Sequence, residues 1–287
     1  MARAFPSARE RFEEADDILG FSLSRLAWEG PAEELTLTRN AQPALLVHSL
    51  AVFAVVRDEL GPVAVAAGHS LGEFSAHVAA GTLSFGDALE GVRVRGELMF
   101  QAGVDRPGTM AAILGLEDEA VEDVCRRVRE DGGTCVPANF NSRGQVVVSG
   151  DVTGVEKAMA LAREAGAKRV VPLPVSGAFH SPLMEPAREG LREQLEKINF
   201  SDPEFPVVSN VTAEPVGEGP KARRLLVDQL TSPVRWRGSV DAMVEAGSDR
   251  FFELGPGSVL CGLNKRNARG LPCASLGEPE DLEVLGG

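Results

Sequence analysis

The stretch of this sequence best suited to chemistry is Gly68-His69-Ser70-Leu71-Gly72, a serine with a glycine two residues to either side. A sharp strand-to-helix turn holds such a serine out of a sheet, with its hydroxyl free to attack an acyl carbon. The backbone N–H of Leu71 then opens the next helix and points at the oxygen on which negative charge develops. The apolar run 63–67 reads as a short strand and 73–80 as a helix, which is the context this turn requires. The alternative is a glycine-rich turn carrying a solvated serine.

A serine nucleophile needs a proton acceptor, and histidine suits neutral pH. The sequence offers four. His69 adjoins the serine and cannot easily turn toward it, so it suits a pocket wall. His77 lies about two helical turns beyond Ser70 and reads as structural. His48 falls in a stretch apolar on nearly every side, as a core or boundary histidine. By elimination the base is His180, on a loop just before Ser181-Pro182, the N-cap and first residue of a helix. No aspartate announces itself as a third member. A backbone carbonyl could hold the imidazole tautomer instead.

A fourth residue with chemical potential is Arg95. A capping pattern at Ser84 to Asp87 opens a helix that runs to about Gly103. On it Arg95 shares a face with Ala88, Gly91, Val92, Leu98 and Met99, whereas Arg93 points away, toward Glu90 and Glu97, as a solvated ion-pair residue. An unpaired buried guanidinium is costly. A ligand's carboxylate or phosphate, a protein carboxylate, or water reached by snorkelling would each satisfy it, and helix geometry does not choose.

The elements that must position these residues divide the chain in two. Before the elbow, Ser7 to Glu10 fits a capping box for a helix ending at Gly20. Gln42-Pro43 opens a second, buried helix that stops at Gly61. From Gly108 the pattern reads strand 109–114, helix 117–130, strands 135–140 and 145–149, helix 152–165 and strand 169–175. That is the β-α-β-β-α-β order of a ferredoxin-like unit. The fold class is therefore α/β, a hydrolase-like parallel-sheet core with an inserted ferredoxin-like small domain. The core takes residues 1–106 and 176–287 and the insert 107–175. Later elements are a strand at 206–209, a helix at 221–230, a strand at 251–254 and a helix ending near Ala268. The polar end from Gly277 is expected to fray.

With 287 residues, 44% hydrophobic and 25% charged, the chain can bury a sizeable core. A net charge of -13 and pI near 4.9 argue against nucleic acid or an anionic membrane as partner. No run is long enough to span a bilayer, and no signal peptide is evident. Cys125, Cys135, Cys261 and Cys273 lack C-x-x-C spacing, so no metal site is expected, and the thiols are expected reduced in a cytoplasmic protein.

The Gly68–Gly72 motif, the Arg95-Gly96-x-x-Met99 pair, Asn139-Phe140-Asn141-Ser142, His180, Gln229-Leu230 with Pro233 and Trp236, and Gly255-Pro256-Gly257 together resemble bacterial malonyl-CoA:acyl carrier protein transacylases. The resemblance covers nearly the whole chain. It implies ping-pong transfer: the serine matching Ser70 takes malonyl from malonyl-CoA as an ester and passes it to the phosphopantetheine thiol of acyl carrier protein. It also implies that His180 is base and then acid, that the Gln229 backbone carbonyl holds it, and that Arg95 pairs with the malonyl carboxylate. His69, Gln42, Met99 and Asn141 match pocket-wall positions. Phe179 and Leu71 match positions that go with malonyl over methylmalonyl. No cofactor is implied beyond these substrates, and a monomer is expected. Lys265, Arg266 and Arg269 could dock the acidic carrier or simply solvate a helix end.

In that family a strand and a G-Q-G-S-Q loop come before the first helix, whereas here Met1 stands almost at its entrance. The sheet is thus expected to lack one parallel strand and the oxyanion hole one donor, and the coding sequence is expected to extend upstream. Arg143 replaces a usual proline and Phe100 a frequent glutamine. Two other readings compete: a serine esterase or thioesterase, and a carrier-binding protein with little turnover.

Overall fold

The computed structural model of the chain describes residues 1–175 and 177–286; the expected boundary residue 176 and the terminal residue 287 lie outside the described residues. The first part of the chain is helical. α1 (Pro6–Leu19), α2 (Leu23–Glu29), α3 (Ala32–Thr36) and α4 (Thr38–Val56) precede β1 (Ala66–Ala67), α5 (Gly72–Ala79) and α6 (Phe85–Asp105). Proline starts α1. Pro6 presets the first helical φ, so Phe5 is the N-cap, Ser7 lies inside the helix, and the expected capping box does not form. Gly20 ends the helix in the left-handed region, at φ 70°. On α6 the expected cap is present, with the Ser84 hydroxyl accepting from the Asp87 N–H.

α4 begins four residues before Gln42, so Pro43 lies inside the helix rather than opening it. Its missing N–H leaves the Arg39 carbonyl without a helical donor, and Arg93 Nη1 supplies one at 2.9 Å. Arg93 also donates to Asn40 Oδ1 and pairs with Glu97. It is half-buried and ties α6 to α4, not the solvated residue that its helix face suggests. Gly96 lets the same two helices touch, since a Cβ there would meet Arg39 Cα at 2.8 Å.

The next segment is β2 (Gly108–Leu114), α7 (Asp118–Glu130), β3 (Cys135–Ser142), β4 (Gln145–Asp151), α8 (Val152–Glu164) and β5 (Arg169–Pro172). Its four strands form an antiparallel sheet in the order β3-β4-β2-β5, the ferredoxin-like arrangement. Val121, Val124, Val128, Val155 and Ala158 of the two helices share a separate core with Ile113, Val146 and Val148. Main-chain bonds from Phe140 N–H to Val234 O (2.9 Å) and from Val234 N–H to Ala138 O (2.8 Å) fasten β3 to the remainder.

The last segment holds α9 (Glu185–Leu195), β6 (Val207–Val208), β7 (Pro215–Val216), α10 (Gly219–Asp228), α11 (Trp236–Glu245), β8 (Phe251–Leu254), α12 (Val259–Asn267) and β9 (Cys273–Leu276). β6 pairs parallel with β1, and β8 parallel with β9, so the parallel strands form two pieces rather than one sheet. Residues of both edge strands, among them Ala66, Ala67, Phe251 and Phe252, line a cavity of about 1090 Å³ that reaches His69 and Leu71.

Two expectations fail here. Cys261 and Cys273 form a disulfide, while Cys125 and Cys135 are free and buried. α12 connects parallel neighbours β8 and β9 and must return over them, which brings together cysteines 12 apart in sequence; C-x-x-C spacing is no guide to such a pair. Nor is 279–286 frayed: it is a 3-10 helix whose Leu282 and Leu285 pack on the main core, with Asp281 Oδ2 accepting from Gly277 and Glu278 N–H. Among the described residues no helix is long and apolar enough to cross a membrane.

The two motif glycines are not equivalent. A Cβ on Gly68 would lie 1.9 Å from the carbonyl carbon of Gly72, whereas one on Gly72 meets nothing within 4 Å. The expected requirement for both glycines therefore holds for the first alone. Gly68→Ala should lower stability by about 3 kcal/mol or more, and Gly72→Ala should leave it unchanged or raise it by up to about 1 kcal/mol, in urea unfolding.

Candidate active site

Ser70 stands between β1 and α5 with φ 51°, a left-handed conformation that a non-glycine residue adopts only when its surroundings impose it. Asn210, just beyond β6, imposes it here. Its Oδ1 accepts from the Ser70 N–H at 2.7 Å, and its Nδ2 donates to Gly68 O at 2.7 Å. The parallel pairing of β1 with β6 puts Asn210 beside the elbow. Among the described residues no acceptor takes the Leu71 N–H, which leaves it available to an oxyanion.

His180 meets the serine from the loop between β5 and α9. Its Nε2 lies 2.8 Å from Ser70 Oγ and its Nδ1 2.9 Å from the backbone oxygen of Gln229. A carbonyl can only accept, so Nδ1 carries the proton and Nε2 is the acceptor facing the hydroxyl. Like Ser70, His180 is left-handed (φ 57°). Ser181 braces the loop by donating to Ala178 O at 2.6 Å and capping the 3-10 turn that leads into α9. Burial, reinforced by the Arg95 charge, lowers the imidazole to about 3. The base is therefore unprotonated and ready throughout the neutral range.

Arg95 is 1% exposed. Its guanidinium donates to Gln42 Oε1, to Ser70 Oγ at 3.0 Å and to Gln229 Oε1 at 2.9 Å, and its Nε has no partner among the described residues. All three acceptors are neutral. Burial lowers Arg95 to about 10, with the charge of Glu73 opposing, so it remains a cation. A buried cation with neutral partners, touching the nucleophile, has the chemistry to receive an anion.

The remaining sequence candidates gather around this centre. Gln42 Nε2 reaches Thr38 Oγ1 at 2.8 Å and the sulfur of buried Met99 at 3.4 Å. His69 bonds Asn141 Oδ1 at 2.9 Å and lies against Trp236, with ring centroids 5.7 Å apart and planes tilted by 51°; burial lowers its pKa. Phe179 packs against both the main core and the base of the small sheet. His77 lies 3.3 Å from Thr82 Oγ1 at the far end of α5, and His48 is half-buried in α4. Phe100 lies under the Arg39 guanidinium, 4.7 Å from ring centroid to carbon. Among the described residues no group of three or more His, Cys, Asp or Glu could hold a metal ion.

Two residues escaped the sequence reading. Asn210 carried no signal, being an asparagine after a two-residue strand. Glu73 is a carboxylate in the first turn of α5 with no exposure, and its position three residues after Ser70 was the available clue. If His180 activates Ser70, His180→Ala should slow labelling of Ser70 by a fluorophosphonate roughly 10²- to 10⁴-fold, read by intact mass.

The geometry agrees with what the chain is similar to. The family described as "Acyl transferase domain" matches residues 2–280. The malonyl CoA-acyl carrier protein transacylase of Bacillus subtilis is 48% identical over 279 residues, covering 97% of this chain and 88% of that protein. Its namesake from Escherichia coli K12 is 45% identical over 283 residues, covering 98% and 91%. A solved type II polyketide synthase malonyl-transacylase in complex with its acyl-carrier protein superposes with a TM-score of 0.94 at 42% identity, covering 99% of this chain and 92% of that one. The chain belongs to the acyl transferase domain family.

Proposed function

We infer that this chain transfers malonyl from malonyl-CoA to the phosphopantetheine thiol of acyl carrier protein, through a malonyl ester on Ser70. The observation that carries the reading is Arg95, a buried guanidinium 3.0 Å from the Ser70 hydroxyl with no carboxylate bonded to it. An esterase for neutral acyl groups has no use for that charge, and a carrier-binding protein without turnover has no use for the serine–histidine pair beside it.

The chemistry then runs in two halves. His180 Nε2 takes the Ser70 proton as Oγ attacks the thioester carbon, and the oxyanion forms against the Leu71 N–H. Collapse expels coenzyme A as its thiol, protonated by His180, and leaves malonyl on Ser70 with its free carboxylate on Arg95. The carrier thiol repeats the sequence in reverse, giving up its proton to His180. Every step is redox-neutral acyl exchange, so the reaction calls for no cofactor. Gln229 holds His180 through its backbone oxygen, in place of a triad aspartate. Gln42, Met99, His69, Asn141 and Phe179 form the walls, Phe179 narrowing the space beside the base. Exposed Lys265, Arg266 and Arg269 at the end of α12 supply positive charge for an acidic carrier, near Asn141, whose backbone oxygen accepts from Asn267. On this reading the protein works in the cytoplasm, on coenzyme A thioesters.

Incubation with malonyl-CoA should give a stable malonyl adduct by intact mass, absent in Ser70→Ala. Release of coenzyme A with no adduct at any time would mean hydrolysis instead. Arg95→Ala should narrow the preference for malonyl-CoA over acetyl-CoA by roughly 10- to 100-fold, because a charged hydrogen-bond pair is lost for malonyl alone. Unchanged discrimination would assign Arg95 a structural task.

A further inference from the structure

Glu73 touches neither substrate nor reacting atoms in the transfer just described, yet it lies one hydrogen bond from the residues that hold them. Its Oε2 accepts from Gln229 Nε2 at 2.7 Å and from the Asn210 N–H at 3.1 Å. Gln229 in turn carries His180 on its backbone oxygen and Arg95 on Oε1, and its Nε2 also reaches Ser70 O at 3.0 Å. Asn210 pins the Ser70 N–H.

An ionised carboxylate can only accept. Gln229 must therefore turn its NH₂ toward Glu73, and its oxygen then faces the guanidinium. Turned over, the amide would set an oxygen against the carboxylate and donors against Arg95, two repulsions in one move. A neutral amide at position 73 could occupy the same space and accept the same bonds, but it could also donate, and so would not forbid the flip. That is what a charge adds, and it accounts for an ionisable group kept in a buried position beside the centre.

We propose that Glu73 is a positioning residue whose ionised carboxylate sets the orientation of the Gln229 amide and the seat of Asn210, and through them the aim of Arg95 and the left-handed turn at Ser70. The proposal rests on the roles given above to Ser70 and Arg95. The charged group facing Glu73 is Arg95 on α6, and His180 is linked to it through Gln229. His77 follows four residues along its own helix, lowered by burial to about 4. Burial pushes the Glu73 carboxyl up to about 7, with Gln229, Asn210 and Arg95 opposing. Below that pH it gains a proton, becomes able to donate, and no longer enforces the amide orientation. An acid limb near 7 is therefore expected from Glu73, with the His180 imidazole held well below it by burial.

The test compares wild type, Glu73→Gln, Gln229→Ala and the double variant. Melting temperature, kcat/KM for malonyl-CoA from pH 5.5 to 8.5, and formation of the Ser70 adduct are measured for each. Expected are a loss of about 10- to 100-fold for Glu73→Gln at pH 8 with a melting temperature near wild type, and disappearance of the acid limb. The double variant should be little worse than Gln229→Ala, because a glutamine at 73 still accepts from the Asn210 N–H and the lost charge acts through the Gln229 amide. If Glu73→Gln melts below the assay temperature, Glu73→Asp replaces it. Its shorter carboxylate withdraws from Gln229 and should show the same loss and the same disappearance of the limb. Wild-type activity and limb in the folded variant, or strict additivity with Gln229→Ala, would overturn the proposal. A wild type that forms no malonyl adduct would overturn the underlying functional reading instead.

Discussion

Burying a guanidinium with no carboxylate hydrogen-bonded to it is among the more expensive arrangements available to a protein, and the centre of this molecule is built around one. Arg95 is carried on the apolar stripe of α6 and satisfied by three neutral oxygens, from Gln42, Ser70 and Gln229. Those oxygens come from α4, from the elbow and from the 3-10 turn after α10, so one cation draws together elements far apart in the chain. A carboxylate bonded to it from the protein would be more stable and would abolish the anion site. Glu73 is instead set one amide away, where it tempers the charge without quenching it.

The second constraint is conformational. Ser70 and His180 both lie in the left-handed region, the serine held there by Asn210 from a distant segment and the histidine by the Ser181 brace within its own loop. Strain of this kind costs of order 1–3 kcal/mol per residue and persists only where the surroundings over-determine it. Here it brings Oγ and Nε2 to 2.8 Å with no third acidic residue, the imidazole tautomer being set by the Gln229 carbonyl. Gly68 serves the same turn differently, by close approach to Gly72 rather than by its own dihedral freedom.

What could be read in advance was local. The elbow, the caps at Ser84 and Ser181, the face of Arg95 and the β-α-β-β-α-β order of the small sheet all depend on spacing within a few residues. The readings that failed had non-local causes. α4 extends through Pro43 because Arg93, on another helix, supplies the donor that proline lacks. Cys261 meets Cys273 because α12 returns over two parallel strands. The tail is ordered because Leu282 and Leu285 find the main core.

The sequence by itself determined that a serine would be presented on a turn, that a histidine would stand at a helix entrance to serve it, and that an arginine would face inward. Helical and strand periodicities dictate those directions without reference to partners. Only the tertiary structure decided that the arginine reaches the serine hydroxyl and no carboxylate, and that Glu73 and Asn210 support the centre. Those facts depend on which segments β1, β6 and the turn after α10 bring within hydrogen-bonding distance. Contacts between residues 140 or 159 apart in the chain leave no periodic trace in the sequence.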